Sequence, residues 1–241
     1  MKILSNVEII DLALYCNSYL IISDVHIGYE ESLNKQGILV PRIQFEDIVK
    51  RIMKIFEELN GREIKKIIVN GDLKHEFGTI SEQEWRNTLK FLDLLSKHCS
   101  EVILIKGNHD KILGPIAEKR NVKIKEFFII DGEKILICHG DKIPDKGMIK
   151  SVSTILIGHE HPAISLKEGT KIETYKCFLK GKFKRKNLVV QPSFNTMIHG
   201  TNILRDFILS PYLKQNLDEF EVFVVEDKVY GFGKLGKLRK L

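Results

Sequence analysis

Val102-Ile103-Leu104-Ile105-Lys106-Gly107-Asn108-His109-Asp110 is a run of apolar β-formers that stops on a glycine and a cluster of polar side chains. The device recurs along the chain. Leu20-Ile21-Ile22-Ser23 runs into Asp24, and Ile67-Ile68-Val69 into Asn70-Gly71-Asp72. Ile135-Leu136-Ile137-Cys138 runs into His139-Gly140, and Ile155-Leu156-Ile157 into Gly158-His159-Glu160-His161. Short apolar runs rich in branched residues read as buried strands. Helical spacing fills the intervals. Ile48, Ile52, Ile55 and Leu59 mark a helix ended by Asn60-Gly61. Ser81 and Glu84 predict a capping box ahead of a buried stripe of Trp85, Leu89, Leu92 and Leu95. The alternation predicts an α/β fold. Such sheets place their sites beyond the carboxyl ends of the strands, so the five runs predict one converging site.

The remaining composition sets bounds. With 241 residues the chain is long enough for one large domain with a full core or at most two small ones. A single domain over 1–241 is expected, with a motif-bearing core at about 20–161, a basic hairpin at about 170–190 and a basic tail at 234–241. No apolar run approaches the roughly 20 residues of a membrane span. The first residues lack the apolar segment of a secretory signal, so a cytoplasmic location is expected. Cys16, Cys99, Cys138 and Cys177 lie far apart with no C-x-x-C pair, as structural cysteines of a reducing compartment would. Cys138 precedes His139, but neighbours on a strand face opposite ways and make a poor nucleophile–base pair.

The net charge of +6 is unevenly spread. Residues 170–186 and 234–240 together hold eleven Lys/Arg and one acid, a local +10. The rest of the chain, with 27 cations and 31 acids, is at −4. Lys180-Gly181-Lys182 reads as a hairpin turn between strands near 175–179 and 186–190. Tyr175, Phe178 and Phe183 interleave with its lysines. Aromatics stacking on nucleic-acid bases between phosphate-binding cations would look like this, and so would a solvated hairpin with core aromatics.

The five loops offer Asp24, His26, Asp72, Asn108, His139, His159 and His161, all oxygen or imidazole donors with no thiolate among them. That set suits Mn²⁺, Fe or Zn²⁺. Seven side chains exceed the three or four that one catalytic ion uses, and two ions sharing a carboxylate would need about this many. Six of the eight histidines (26, 75, 109, 139, 159 and 161) lie in these motifs, which core packing does not explain. His98 and His199 are read as structural.

Asp24-x-His26, Gly71-Asp72, Gly107-Asn108-His109-Asp110, His139-Gly140 and Gly158-His159-x-His161 resemble, in order, the motif series of the calcineurin-like metallophosphoesterases. Within that superfamily the chain looks like the archaeal phosphoesterases related to the exonuclease subunit of double-strand-break repair nucleases. It is also similar to the metallophosphoesterases found in bacteria beside a DNA ligase and a helicase. Gly71-Asp72-Leu73-Lys74-His75-Glu76-Phe77, Gly158-His159-Glu160-His161-Pro162 and Gln191-Pro192-Ser193-Phe194-Asn195 carry that finer likeness.

The resemblance implies a four-layer α-β-β-α sandwich of two mixed sheets, with a dinuclear metal site at the strand ends. It implies Asp24, His26 and His161 on a first ion, Asn108, His139 and His159 on a second, and Asp72 bridging. The ions would be Mn²⁺ first, with Fe, Zn²⁺ or Ni²⁺ as alternatives. The implied nucleophile is a hydroxide shared by the ions. His109 would contact the phosphate and protonate the leaving oxygen, with Asp110 orienting it. Glycines beside the ligands would allow tight turns and close phosphate approach.

One departure is local. Many family members carry G-D-x-x-D or G-D-x-x-R in the second motif, where this chain has Gly71-Asp72-Leu73-Lys74-His75. His75 reads either as a substrate contact or ligand support, or as a surface residue paired with Glu76. The implied reaction is phosphodiester hydrolysis, with DNA or RNA as the candidate polymer and repair proteins as partners by resemblance. The rivals are a phosphatase or cyclic-nucleotide diesterase acting on small molecules, and a protein-binding scaffold. Scaffolds of this fold usually lose ligands, whereas here the set is complete. Oligomeric state is not readable from the residues.

Overall fold

A computed structural model of the chain describes residues 1–76, 78, 80–110, 113–120 and 122–239. Phe77 of the second motif and Lys240 of the basic C-terminal segment fall outside the described residues. The first sheet holds Lys2–Leu4 (β1), Val7–Ile10 (β2), Ala13–Cys16 (β3), Tyr19–Ser23 (β4), Lys66–Asn70 (β5), Glu101–Ile105 (β6) and Lys123–Lys125 (β7), in that order. β1 to β4 form an antiparallel meander, and β4 to β7 run parallel. The second sheet holds Phe127–Ile130 (β8), Ile135–Cys138 (β9), Thr154–Ile157 (β10), Pro162–Glu168 (β11), Lys171–Phe183 (β12), Lys186–Val190 (β13) and Thr201–Asn202 (β14). Glu221–Val225 (β15) pairs with β12 and with Val229–Lys234 (β16). β9, β10 and β13 are parallel and the sheet is otherwise mixed.

The helices are Tyr29–Lys35 (α1), Gln44–Glu58 (α2), Glu82–Ser96 (α3), Gly114–Arg120 (α4), Lys146–Ser151 (α5) and Leu235–Leu238 (α6). α2 packs Ile48, Ile52 and Ile55 into the core of the first sheet, as their spacing predicts. On α3 the buried stripe is Glu84, Thr88, Phe91, Leu92 and Leu95, with Trp85 and Leu89 at its margin. None of the described helices is long and apolar enough to cross a membrane.

Strand alternation divides the second sheet between two cores. Ile135, Ile137, Leu156, Phe178, Val189 and Phe223 join the first sheet's residues in one cluster, the layer between the sheets. Leu136, Cys138, Ile155, Ile157, Cys177, Leu179, Leu188 and Val190 face the other way. They pack under Ile149 of α5, Leu235 and Leu238 of α6, and Tyr212, Leu213, Leu217 and Phe220 from the irregular 203–220 segment. The architecture is thus an α/β arrangement of two mixed sheets with helices, and its fourth layer is built from short helices and loop. Burying each Leu or Ile side chain contributes about 1.5–3 kcal/mol relative to leaving it in water.

Two expectations need correction. The turn after β12 is Lys184-Arg185 and not Lys180-Gly181-Lys182, because Phe183 pairs with Lys186, and Gly181 with Leu188, inside the ladder. Lys184 and Arg185 both take positive φ (46° and 67°), as a two-residue loop that matches strand twist requires. Gly181 serves packing instead: a Cβ there would lie 2.5 Å from the Phe220 ring. Phe178 and Phe183 are buried in the two cores, which leaves them no face for bases. The second correction concerns α3. Ser81 Oγ accepts the Glu84 N–H at 3.1 Å, but the Glu84 carboxylate turns to a different loop, so only half of the capping box forms.

The thiols of Cys16, Cys138 and Cys177 are buried and that of Cys99 half-buried, and none forms a disulfide. Burial pushes all four thiols upward, Cys16 to about 11 and Cys138 to about 12, so none is poised as a thiolate. His98 stacks on Phe56 with ring centroids 4.0 Å apart, and His199 is exposed.

Candidate metal centre

Register explains why the motifs meet. Ser23 pairs with Asn70, and Asn70 with Ile105, so β4, β5 and β6 end flush in one row. Asp24, Asp72 and Asn108 follow directly. In the facing sheet Leu156 pairs with Ile137, and Ile157 with Val190, so β9, β10 and β13 also end together before His139, His159 and Gln191. The chain then makes cross-loop bonds: Asp24 N–H to Gly71 O, His26 N–H to Asp72 O, and Gly158 N–H to His139 O.

All seven proposed ligands converge on this edge in two groups. In the first, His26 Nε2 and His161 Nε2 face each other at 3.4 Å, and Asp24 Oδ1 lies 3.2 Å from His161 Nε2. In the second, His139 Nε2 lies 2.9 Å from Asn108 Oδ1, 3.1 Å from His159 Nδ1 and 3.4 Å from Asp72 Oδ2. Asp72 Oδ2 is also 3.8 Å from His26 Nε2, which sets it between the groups. The donor sets Asp24–His26–His161 and Asp72–His139–His159 are each compact enough to share one ion.

The donor chemistry fits divalent ions. Asp24 Oδ1 is buried without a hydrogen-bond partner among the described residues. Imidazole nitrogens that point at one another share at most one proton per pair, whereas a cation between them would satisfy both lone pairs. Burial works against the charge of His139, yet the Asp72 and Asp24 carboxylates beside it raise its pKa. Burial would raise Asp24 too, but His161, His139 and the Ser23 hydroxyl outweigh it and hold the carboxyl low. His26 and His159 are lowered, first by burial and then by neighbouring histidines, which favours the neutral ring that a metal needs.

The backbone at this edge is strained. Asp24, His26, Asp72, His159 and His161 have φ of 55°, 47°, 46°, 64° and 49°. Each non-glycine residue in that region costs about 1–2 kcal/mol, so the surrounding bonds must hold it there. Several come from residues that motif reasoning did not assign. Ser23 Oγ donates to Asp24 Oδ2 at 2.6 Å, and Ser193 Oγ to Asp24 O at 2.7 Å. Gln191 Nε2 donates to Ile21 O at 3.1 Å, so the Gln191-Pro192-Ser193-Phe194-Asn195 stretch is a strap across the end of β4. Gln44 accepts from Gly28 N–H and donates to His26 O at 2.7 Å. The resemblance marks the Gln191–Asn195 stretch, whereas Ser23, a polar residue closing β4, and Gln44, at the start of α2, give no other signal. Gly71 is required by contact as well as by φ (+81°), since a Cβ there would sit 2.0 Å from His139 Nδ1. The motif glycine thus makes room for a ligand.

His109 lies at the rim, with Nε2 4.0 Å from Asp72 Oδ2 and its N–H donating to Asp72 Oδ1 at 2.9 Å. Its Nδ1 meets the His75 carbonyl at 2.5 Å. The orienting contact expected from Asp110 is therefore corrected. The Asp110 carboxylate is buried against its own turn and accepts the Gly107 N–H at 3.1 Å, which leaves the ring to a main-chain acceptor. Burial, with Asp72 nearby, pushes Asp110 up to about 6. The His75 ring packs in the cluster, with centroids 5.4 Å from His26, 5.3 Å from His109 and 4.9 Å from Tyr29. Burial and then His109 lower it to about 4, and no ion pair with Glu76 occurs among the described residues.

A sequence profile for the calcineurin-like phosphoesterases matches residues 18–207, most of the chain and every one of these loops. The chain belongs to that family. The calcineurin-like assignment makes it a phosphoesterase, in a family that uses divalent metals. The crystal structure of Pseudomonas putida nuclease MPE covers 92% of each chain at 18% identity with a TM-score of 0.63, a likeness of fold. The E. coli phosphoesterase Yfce (12% identity, 85% of this chain and 86% of that one, TM-score 0.39) is more distant. So is Vacuolar Protein Sorting 29 from Cryptosporidium parvum (16%, 90% and 97%, TM-score 0.40). No curated protein matches the chain.

Proposed function

We propose that this calcineurin-like phosphoesterase hydrolyses phosphodiesters, with nucleic acid as the substrate class, at a dinuclear centre. The observation that carries the reading is the pair of three-donor clusters with the Asp72 carboxylate between them, a complete set of hard and borderline donors. Two divalent ions held there, Mn²⁺ first with Fe, Zn²⁺ or Ni²⁺ as alternatives, would lower the pKa of water to near neutrality and clamp the attacking and leaving oxygens of an in-line displacement. Asp24, His26 and His161 hold one position and Asn108, His139 and His159 the other. His109 Nε2, at the rim, hydrogen-bonds the phosphate and gives its proton to the departing oxygen. His75 lines the same rim and contacts the substrate. The nuclease name of the Pseudomonas putida protein and the basic segments of this chain support a polymeric diester. An archaeal repair-type phosphoesterase is the subfamily that the second and last motifs favour.

The test is a Mn²⁺-supplemented screen of bis-p-nitrophenyl phosphate, p-nitrophenyl phosphate, and single- and double-stranded DNA. Turnover of the diester and of DNA, with the monoester slower, is expected. Preference for the monoester with no cleavage of DNA would move the small-molecule phosphatase reading ahead.

A further inference from the structure

Lys74 is fully buried, yet it makes no ion pair among the described residues. Its ammonium donates instead to two main-chain carbonyls, those of Glu76 and, at 2.7 Å, His109. Enclosing an ammonium costs several kcal/mol, and hydrogen bonds to carbonyls offset it only in part. A methionine or leucine would fill the same space without that cost. What the lysine adds is a tie between two loops, the 71–76 segment and the turn that carries His109.

Glu84, 1% exposed on the first turn of α3, holds the same segment from the other side. Its Oε1 accepts the N–H groups of His75 at 2.9 Å and Glu76 at 3.0 Å, the bonds for which it leaves the capping box. A parallel bridge between Ile27 and Lys74 adds His75 N–H to Ile27 O. The peptide units on both sides of His75 are therefore pinned, and the His75 carbonyl is aimed at His109 Nδ1. A carbonyl only accepts, so Nδ1 must carry the proton of that bond, which turns Nε2 toward the metal edge, 4.0 Å from Asp72 Oδ2.

We infer that Lys74 and Glu84 are positioning residues that set the orientation and tautomer of His109 through the His75 carbonyl. The inference rests on the reading of His109 as the group that protonates the leaving oxygen, and it deepens that reading. Partners that orient a functional imidazole are typically worth about 10–100-fold. Lys74→Met should lower hydrolysis of an alkyl diester by about that factor and an aryl diester by less, because a good leaving group hardly needs the proton.

The experiment combines these rates with ¹⁵N NMR of the histidines in Zn²⁺-loaded protein, the His109 signals being assigned by their loss in His109→Gln. Wild type should show His109 protonated at Nδ1. Lys74→Met and Glu84→Met, which has no acceptor for the His75 and Glu76 N–H groups, should both move that signature with bound metal unchanged, and Lys74→Arg should restore it. Should Lys74→Met fail to fold, Glu84→Met reads the same carbonyl from α3. A wild-type signal protonated at Nε2, or an unmoved signal in the folded variants, overturns the inference. A moved signal with equal losses on alkyl and aryl diesters upholds the positioning and overturns the acid role of His109 instead.

Discussion

The two ends of β10 carry opposite designs. At its carboxyl end lie His159 and His161, half-buried, strained and braced from both sheets. At its amino end Thr154 pairs with Asn187, so the Lys184-Arg185 turn lies at the far edge, about 10 Å of strand plus two turns away. Both ends use left-handed residues. At the basic turn that conformation follows from the loop length alone, and both residues are exposed. At the metal edge it aims side chains inward, and what holds it is a set of distant partners: Ser193, Gln191, Gln44 and Gly71. The same φ is a local turn in one place and a tertiary construction in the other.

The basic segment also divides when its partners are counted. Lys180 pairs with Glu221 at 3.0 Å, Lys182 donates to Asn187, and Lys186 donates to the carbonyls of Lys150 and Val152 at the end of α5. Lys184 and Arg185 make no ion pair among the described residues, and they share a hollow with Lys146 and Lys150. Charge that reads as one basic block between residues 170 and 186 is thus partly consumed by the fold.

The largest effect should come from the centre of the metal edge. Asp72→Asn removes the one carboxylate between the two donor sets, so occupancy at both positions should drop and turnover fall to background. Elemental analysis at saturating Mn²⁺ that still finds two ions, with turnover kept, would falsify the bridging role. A smaller loss is expected for Gly71→Ala, whose new Cβ meets the His139 ring. Strain of about 1–3 kcal/mol should appear in thermal unfolding, and metal affinity should weaken about 10–100-fold in a titration. Unchanged values for both would mean that the edge relaxes as freely as a loop, and the contrast drawn above would fail.

The smallest effect belongs to the basic turn. Lys184→Asn with Arg185→Gly replaces two strained cations by the residues that such a turn favours. Stability should rise by less than about 2 kcal/mol, and hydrolysis of a small aryl diester should stay as it was. If nucleic acid reaches this edge, the salt dependence of its binding should flatten by at most about two units of slope. A large loss of diester hydrolysis would show instead that the two edges communicate.

Much of this was legible in the residues. Periodicity located the buried strands and the two long helices, and the polar stops named seven side chains that do converge, because a parallel sheet ends its strands on one side. Composition also marked the cysteines as inert. What the residues could not specify were the side chains' partners, whether three positions away or more than a hundred. Asp24 is held by Ser193, and the helix residue Glu84 abandons its own cap to pin His75. Lys74 reads as a surface lysine until its two carbonyl partners are placed around it. Asp110 follows His109 in sequence and the family resemblance implies that it orients the ring, yet its carboxylate is spent on Gly107. Local pattern decides which face a side chain takes and where a strand stops. Which lone pair it meets is decided only when separate loops are brought to one edge, because a hydrogen bond is settled over tenths of an ångström by atoms that the sequence keeps far apart.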